Sequence, residues 1–136
     1  MKILITGASG FVGLNLIKSL NENYTLTPKS YRYKEKQKIK VSEEIIVHLS
    51  GKAHDLKKTS KRQDYLDSNF ELTKQIYDGF LASKTSETFI FISSVKAVAD
   101  SVLGVLKEEV VPNPKTNYGI SKLAAENYIL SIKPPK

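Results

Sequence analysis

Short apolar runs alternate along this chain with stretches of helical period, an arrangement that predicts an α/β domain on a parallel sheet. Lys2 to Thr6 reads as a first strand, followed by a helix over Phe11 to Leu20 with Val12, Leu16, Ile17 and Leu20 on one face. Tyr24 to Thr27 reads as a second strand ended by Pro28, and Ile39 to Val41 as a brief third. Ile45 to Leu49 is apolar enough for a strand buried on both faces. A helix follows over Asp64 to Leu81, its apolar stripe running through Leu66, Phe70, Ile76, Tyr77 and Phe80. Phe89 to Ile92 reads as another buried strand, and Thr116 to Ile132 as a last helix stopped by Pro134 and Pro135. The second strand is followed by a basic segment rather than an amphipathic helix. The sheet is therefore expected to be trimmed on that side.

With 136 residues the chain has the size of one domain. No run approaches the roughly 18 consecutive apolar residues of a membrane span. The start, Met1 to Gly7, lacks a signal peptide's apolar core and cleavage site. Cysteine is absent, which removes disulfides, thiolate metal sites and a thiol nucleophile. The expectation is a soluble, cytoplasmic domain.

Lysine and arginine total 21 against 14 acids, a formal charge of +7. The densest basic stretch holds Lys29, Arg32, Lys34, Lys36, Lys38 and Lys40 against the single acid Glu35. Tyr31 and Tyr33 could stack on bases, but no RNA-binding consensus surrounds them. Alternating lysines with little apolar content mark a solvated loop or edge strand more often than a binding groove. Nucleic acid is not an expected partner.

The first strand runs into Thr6-Gly7-Ala8-Ser9-Gly10-Phe11-Val12-Gly13, with glycines spaced G-x-x-G-x-x-G between strand and helix. Gly7 permits a sharp turn, Gly10 lets a pyrophosphate approach the backbone, and Gly13 lets the helix pack closely. The helix amino terminus then offers free N–H groups to the anion. An ordinary glycine turn is the bland alternative, and the strand–turn–helix order favours a dinucleotide site. Tyr118 and Lys122 stand four apart, on one face of a helix. A positive charge about 5 Å from a phenol, at an effective dielectric near 20, is worth about 3 kcal/mol or about two pKa units. Tyr118 could thereby serve as a general base, although Tyr and Lys at this spacing more often make a plain helical contact. Ser93 and Ser94 close the Phe89–Ile92 strand at its carboxyl end, where open α/β sheets bind ligands.

Taken together these residues resemble the extended short-chain dehydrogenase/reductases, in their NAD-dependent nucleotide-sugar epimerase/dehydratase branch. The resemblance covers nearly the whole chain. Thr6 to Gly13 looks like that family's cofactor fingerprint, and His48-Leu49-Ser50-Gly51-Lys52-Ala53-His54 is similar to its H-L-A-[AG]-x-A-H loop. Asn69, Ile92-Ser93-Ser94 and the run Pro114 to Glu126 match the motifs that follow in the same order. The resemblance implies a doubly wound, Rossmann-like NAD(P)-binding domain over residues 1–136. It implies cofactor contacts from Gly7, Ser9, Gly10, Phe11, Val12, Gly13, Leu49, Ser50, Gly51, Asn69, Tyr118 and Lys122. Ser94 would bind the sugar hydroxyl being oxidised, Tyr118 would take its proton, and Lys122 would hold the nicotinamide ribose. Asn69 can equally be a satisfied core amide tying its helix to a strand. His48, His54 and Asp55 could be drawn as metal ligands, but His48 lies in a buried strand and the cofactor already explains the loop; no metal is expected.

The chain departs from the family in places. The family places an acid after the second strand to meet the adenosine ribose, whereas here the chain reads Thr27-Pro28-Lys29-Ser30-Tyr31-Arg32. NAD is the expected cofactor and NADP remains open, since Lys29 or Arg32 could meet a 2′-phosphate. Val98-Ala99 replaces a common Tyr-Gly, and Ser50 stands where alanine is commoner. The chain ends at Lys136, before a further strand with an Arg-Pro pair and the substrate lobe, so a truncated domain is expected. The implied activity is epimerisation of a nucleotide sugar, such as UDP-glucose/UDP-galactose, with a UDP-sugar substrate and a homodimer as partners. A non-catalytic dinucleotide-binding or redox-sensing module, and a dehydratase or reductase of the same branch, are the alternatives.

Overall fold

The computed structural model describes residues 1–53 and 60–132. Strand β1 (Lys2–Thr6) leads through the glycine turn into helix α1 (Phe11–Leu20), and β2 (Thr25–Lys29) follows. After a crossover come β3 (Ile45–His48), α2 (Arg62–Tyr65), a π-helical turn (Leu66–Glu71), α3 (Leu72–Ala82) and β4 (Thr88–Phe91). A short 3₁₀ turn (Val95–Ala97) and α4 (Asn117–Ser131) complete the chain. The strands pair in parallel in the order β2-β1-β3-β4, the expected half of a doubly wound sheet.

Two cores form on the two faces of the sheet. Leu4, Ile46, Leu72, Ile76, Tyr77 and Phe80 join with Ile39 and Val41 on the α3 side. Ile3, Ile5 and Val47 pack with Leu16, Ile17 and Leu20 of α1 on the other. Alternation along β1 and β3 sends successive side chains to opposite faces, so both strands are buried on both.

Several sequence expectations change. Pro28 does not end the second strand but pairs with Ile5 inside it. That is tolerated because β2 is an edge strand, with β1 its one ladder neighbour among the described residues. Ile39 to Val41 forms no strand. Ile39 and Val41 are buried, but against α3, where the Ile39 carbonyl presses on Gly79 at a place with no room for a side chain. The Ile45–Leu49 strand stops at His48, and the last helix starts at Asn117, with Thr116 as its cap. The helix expected from Asp64 begins earlier, at Arg62, and carries the π turn. This shifts Leu66 and Phe70 out of the fully buried stripe.

The strand ending at Ile92 is not buried on both sides. Ile90 is 42% and Ile92 47% exposed, because α1 reaches only part of that face and β4 is the other edge. With Ile3, Val47, Leu16 and Leu20 they line an apolar cleft of about 440 Å³.

The basic crossover behaves as expected of a solvated loop. Lys34, Lys36, Lys38 and Lys40 are exposed, while Ile39 and Val41 between them turn inward. Trimming of the sheet on this side follows directly, since no strand forms outside β2 among the described residues.

Candidate functional site

The carboxyl ends of β1 and β3 meet at the glycine turn. Gly7 has φ +67°, a left-handed conformation that L side chains resist. A Cβ there would also come within 2.8 Å of the Leu49 carbonyl carbon and the Ser50 nitrogen, so the turn lies against the loop after β3. Gly13 is buried against the Gly7 carbonyl, whereas a Cβ on Gly10 would meet only that oxygen, at 3.3 Å. Ser9, Gly10, Phe11 and Val12 are exposed. No side chain caps α1, so its amino end presents its N–H groups outward, as an anion site requires. On the flank, the Ala8 N–H donates to the Lys29 carbonyl at 3.3 Å and Ser30 Oγ donates to Ser9 Oγ at 3.1 Å. The end of β2 is thereby held beside the turn.

Behind the turn runs a buried polar chain. Thr6 Oγ1 accepts from the Leu49 and Ser50 N–H groups, each at 3.2 Å, and lies 2.6 Å from His48 Nδ1. With both acceptor sites used, Thr6 donates its hydroxyl proton to Nδ1, which fixes the ring as the Nε2–H tautomer. Nε2 then donates to Thr73 Oγ1 at 2.8 Å, and Thr73 donates to the Asn69 carbonyl at 2.6 Å. Burial first, and the Lys122 charge second, push the His48 pKa down to about 3. Asn69, buried in the π turn, accepts from the Lys52 N–H at 2.6 Å and donates to the Lys52 carbonyl at 3.0 Å and to Ser121 Oγ at 2.9 Å. Ser121 Oγ donates in turn to the Tyr118 carbonyl at 2.8 Å. The expected core amide is satisfied, and it ties the β3 loop to helix α4 rather than to a strand.

At the end of β4, Lys122 is 5% exposed. Its ammonium donates to the Ile92 carbonyl at 2.6 Å and sits 4.1 Å from the Phe91 ring centroid. Burial lowers its pKa to about 8 against an opposing pull from Glu126. Ser94 caps the 3₁₀ turn, its Oγ accepting from the Lys96 N–H at 3.2 Å, which leaves the hydroxyl proton free to donate. Ser93 Oγ bonds Glu126, fastening the strand end to α4 a second time.

Asp100 and Thr116 together set the α4 amino end. Asp100 accepts from the Lys115 N–H at 2.6 Å, the Thr116 N–H at 3.2 Å and Thr116 Oγ1 at 2.5 Å. The Thr116 side-chain hydrogen bond leads the effects that hold the Asp100 carboxyl below the usual range. Thr116 Oγ1 in turn accepts from the Gly119 N–H at 3.2 Å. A threonine just before a helix was a readable cap signal; its partner 16 residues back was not.

The site residues expected from the sequence thus collect at one end of the sheet. Gly7 to Gly13 and Leu49 to Gly51 form one wall, and Ser94, Tyr118 and Lys122 lie along β4 and α4. Ser50 is buried, and its hydroxyl lacks a hydrogen-bond partner among the described residues. His54 and Asp55 lie outside the described residues. Among those described, no group of three or more His, Asp or Glu could hold a metal, and no helix is long and apolar enough to cross a membrane.

Residues 3–134 match the sequence model of the NAD dependent epimerase/dehydratase family. The chain is 28% identical over 141 residues to the GDP-6-deoxy-D-mannose reductase of Pseudomonas aeruginosa, covering 95% of this chain and 46% of that protein. It is 30% identical over 157 residues to the UDP-glucose 4-epimerase of Vibrio cholerae, covering 96% and 46%. The chain therefore spans about half the length of these curated relatives. Among solved structures, MoeE5 in complex with UDP-glucose and NAD matches with a TM-score of 0.80 at 23% identity, over 96% of this chain and 48% of that one. RMD from Pseudomonas aeruginosa complexed with NADPH matches with a TM-score of 0.72 at 24% identity, over 96% and 48%. At these identities the structures establish the doubly wound fold.

Proposed function

The chain belongs to the NAD dependent epimerase/dehydratase family, and on that footing we propose that it carries the cofactor site and acid–base residues of a nucleotide-sugar epimerase, with a UDP-sugar as substrate. The observation that carries the reading is the Asn69–Ser121 hydrogen bond. It locks the helix bearing Tyr118 and Lys122 onto the loop that backs the glycine turn. Acid–base and dinucleotide residues are thus held in one frame rather than on separately moving elements.

The residues present fit a dinucleotide. The uncapped amino end of α1, the open side of Gly10 and the orphaned Ser50 hydroxyl all suit a ligand rich in phosphate and ribose oxygens. Gly7, Ser9, Gly10, Phe11, Val12 and Gly13 would hold the pyrophosphate, and Leu49, Ser50, Gly51 and Asn69 would flank it. When bound, the nicotinamide supplies the hydride acceptor and donor. Ser94 donates its free hydroxyl proton to the sugar oxygen, and Tyr118 takes the sugar's proton. Lys122, already positioned by the Ile92 carbonyl, would hold the nicotinamide ribose. Among relatives, the Vibrio cholerae epimerase supports this reaction.

A second reading, reduction of a nucleotide-linked keto sugar, is favoured by one observation. The end of β2 carries Lys29 and Arg32 and no acid, and a GDP-sugar reductase is among the relatives. The two are separated by incubating the whole protein with UDP-glucose and catalytic NAD⁺. Interconversion to UDP-galactose without net absorbance at 340 nm, lost at least 100-fold in Tyr118→Phe, is the expected result. Stoichiometric consumption of NADPH with a keto-sugar substrate, and no epimerisation, would replace it with the reductase.

A further inference from the structure

The β3–β4 ladder ends at the His48–Phe91 pair, after which the Ile92 N–H still donates to the His48 carbonyl at 3.2 Å. Past that point no strand pairing fixes the backbone of Ser93 and Ser94. Helix α4 supplies the hold with two side chains one turn apart, Lys122 and Glu126. Residues four apart on a helix are neighbours and commonly pair with each other. Here each reaches to a consecutive residue of the strand end instead. The Lys122 ammonium donates to the Ile92 carbonyl at 2.6 Å, and the Glu126 carboxylate accepts from Ser93 Oγ. Both Glu126 and Ser93 are half-buried, where a charge-assisted bond of this kind is strong. The bond also sorts two adjacent hydroxyls. A carboxylate only accepts, so Ser93 gives its proton to Glu126 and has none left for a ligand. Ser94 Oγ accepts from the Lys96 N–H and keeps its own proton to donate.

We propose that Glu126 is a positioning residue for the reaction: through Ser93 it sets the strand end that presents Ser94 and the Ile92 carbonyl, and it places a countercharge one turn from the buried Lys122 ammonium. This deepens the acid–base reading above and rests on it. The tie acts on both neighbours of Ser93 at once, so its loss moves the Lys122 acceptor and the Ser94 hydroxyl together. A displacement of about 1 Å in such a group is enough to slow a reaction about 100-fold. The countercharge matters because the ammonium otherwise has one carbonyl and the Phe91 face. Burial pulls the Lys122 pKa down to about 8, and Glu126 opposes that pull. The other titratable groups set around it are His48 on β3, neutral above about pH 3, and Tyr118 one turn earlier on α4.

The test is steady-state kinetics of the whole protein, with whichever substrate of the preceding assay it turns over, for Ser93→Ala, Glu126→Ala and Glu126→Gln. Ser93→Ala breaks the tie and keeps the charge, Glu126→Gln keeps an acceptor for Ser93 and removes the charge, and Glu126→Ala removes both. Urea denaturation checks that each variant is folded. Ser93→Ala and Glu126→Ala should each lower kcat at least tenfold while KM changes less than threefold. The double variant should lose no more than Glu126→Ala alone, because both changes break one bond. Glu126→Gln should recover most of kcat at pH 7, with its alkaline loss of activity starting about half a pH unit below that of the unaltered protein. In Ser93→Ala that alkaline limb should stay in place. Unchanged kcat in folded Glu126→Ala would overturn the inference. If that variant does not fold, unchanged kcat in Ser93→Ala or an unmoved alkaline limb in Glu126→Gln would overturn it. Either result leaves the acid–base reading standing, since the unaltered protein still turns over. An unaltered protein that turns over neither substrate ends both.

Discussion

Gly119 lies directly against the carbonyl oxygen of Lys96, so that helix α4 and the turn after Ser94 touch backbone to backbone. A Cβ on Gly119 would overlap that oxygen and also come within 2.8 Å of Pro114 Cβ. Neither obstacle is the yielding tip of a long side chain. The glycine next to Tyr118 is therefore what lets the helix approach the Ser94 turn. Gly119→Ala is expected to cost about 1–3 kcal/mol, as overpacking does, and to move Tyr118 away from Ser94. Urea denaturation reads the first effect. A fall in kcat larger than the rise in KM reads the second.

Asp100 sets the same junction from the other side by holding the Thr116 cap and the Lys115 N–H. Asp100→Ala should loosen the first turn of α4 without unfolding the sheet. Amide exchange at Gly119 and Ile120 is the measurement, and their protection should fall while that of β1 and β3 stays. Because the carboxyl is held below its ordinary range, its contribution is present above the unfolded pKa. It should fade as pH falls through the folded value, and the variant should lack this acid-side change.

His48 gives a second acid-side dependence, of opposite ionisation. The folded ring stays neutral down to about pH 3, whereas the unfolded ring takes a proton near 6.5. Below that pH the unfolded chain binds one proton more, so stability should fall by about 1.4 kcal/mol per pH unit from about 6 downward. A protonated ring would turn two donors on Thr6 and Thr73, and the Thr6 hydroxyl would lose its acceptor. His48→Gln should flatten the slope between pH 6 and 4, at a lower stability overall. An unchanged slope in denaturation series would show that the ring is not the group responsible.

Much of this site was readable because its parts are local in sequence. The turn from Thr6 to Gly13 and the Tyr118/Lys122 pair each sit within one element, and the structure puts both at the same end of the sheet. What escaped was fixed by tertiary contact. Ile39 and Val41 have strand character, yet their backbone was captured by α3 at Gly79 instead of by a ladder. The π turn around Asn69 has no composition signal, since it exists to bring one amide to Lys52 and Ser121 together. The exposure of Ile90 and Ile92 is equally invisible in an apolar run, because it depends on which helix covers that face. Asp100 lies in an unremarkable loop, and only its 16-residue reach to Thr116 gives it a role.

Lys122 is held at the end of β4 at a cost to stability. The side chain is 5% exposed, and burial lowers its pKa from 10.5 to about 8. At pH 7 the folded protein therefore buries a full positive charge, offset in part by the Ile92 carbonyl and the Phe91 face. Between pH 8 and 10.5 the unfolded chain keeps a proton that the folded one has released, so this lysine's contribution to stability rises with pH in that window. A shift of this size corresponds to roughly 3 kcal/mol, an upper figure for the charge penalty. Lys122→Met keeps the aliphatic stem over Phe91 and removes the charge, so it should unfold at higher urea than the parent at pH 7. The gap between the two proteins should shrink as pH rises to 9.5. On the proposed reading the same variant should lose turnover by at least 100-fold, because Lys122 is the residue assigned to the nicotinamide ribose. A Met variant less stable than the parent at pH 7 would show that the Ile92 hydrogen bond outweighs the cost of burial. Full turnover in that variant would remove Lys122 from the catalytic group.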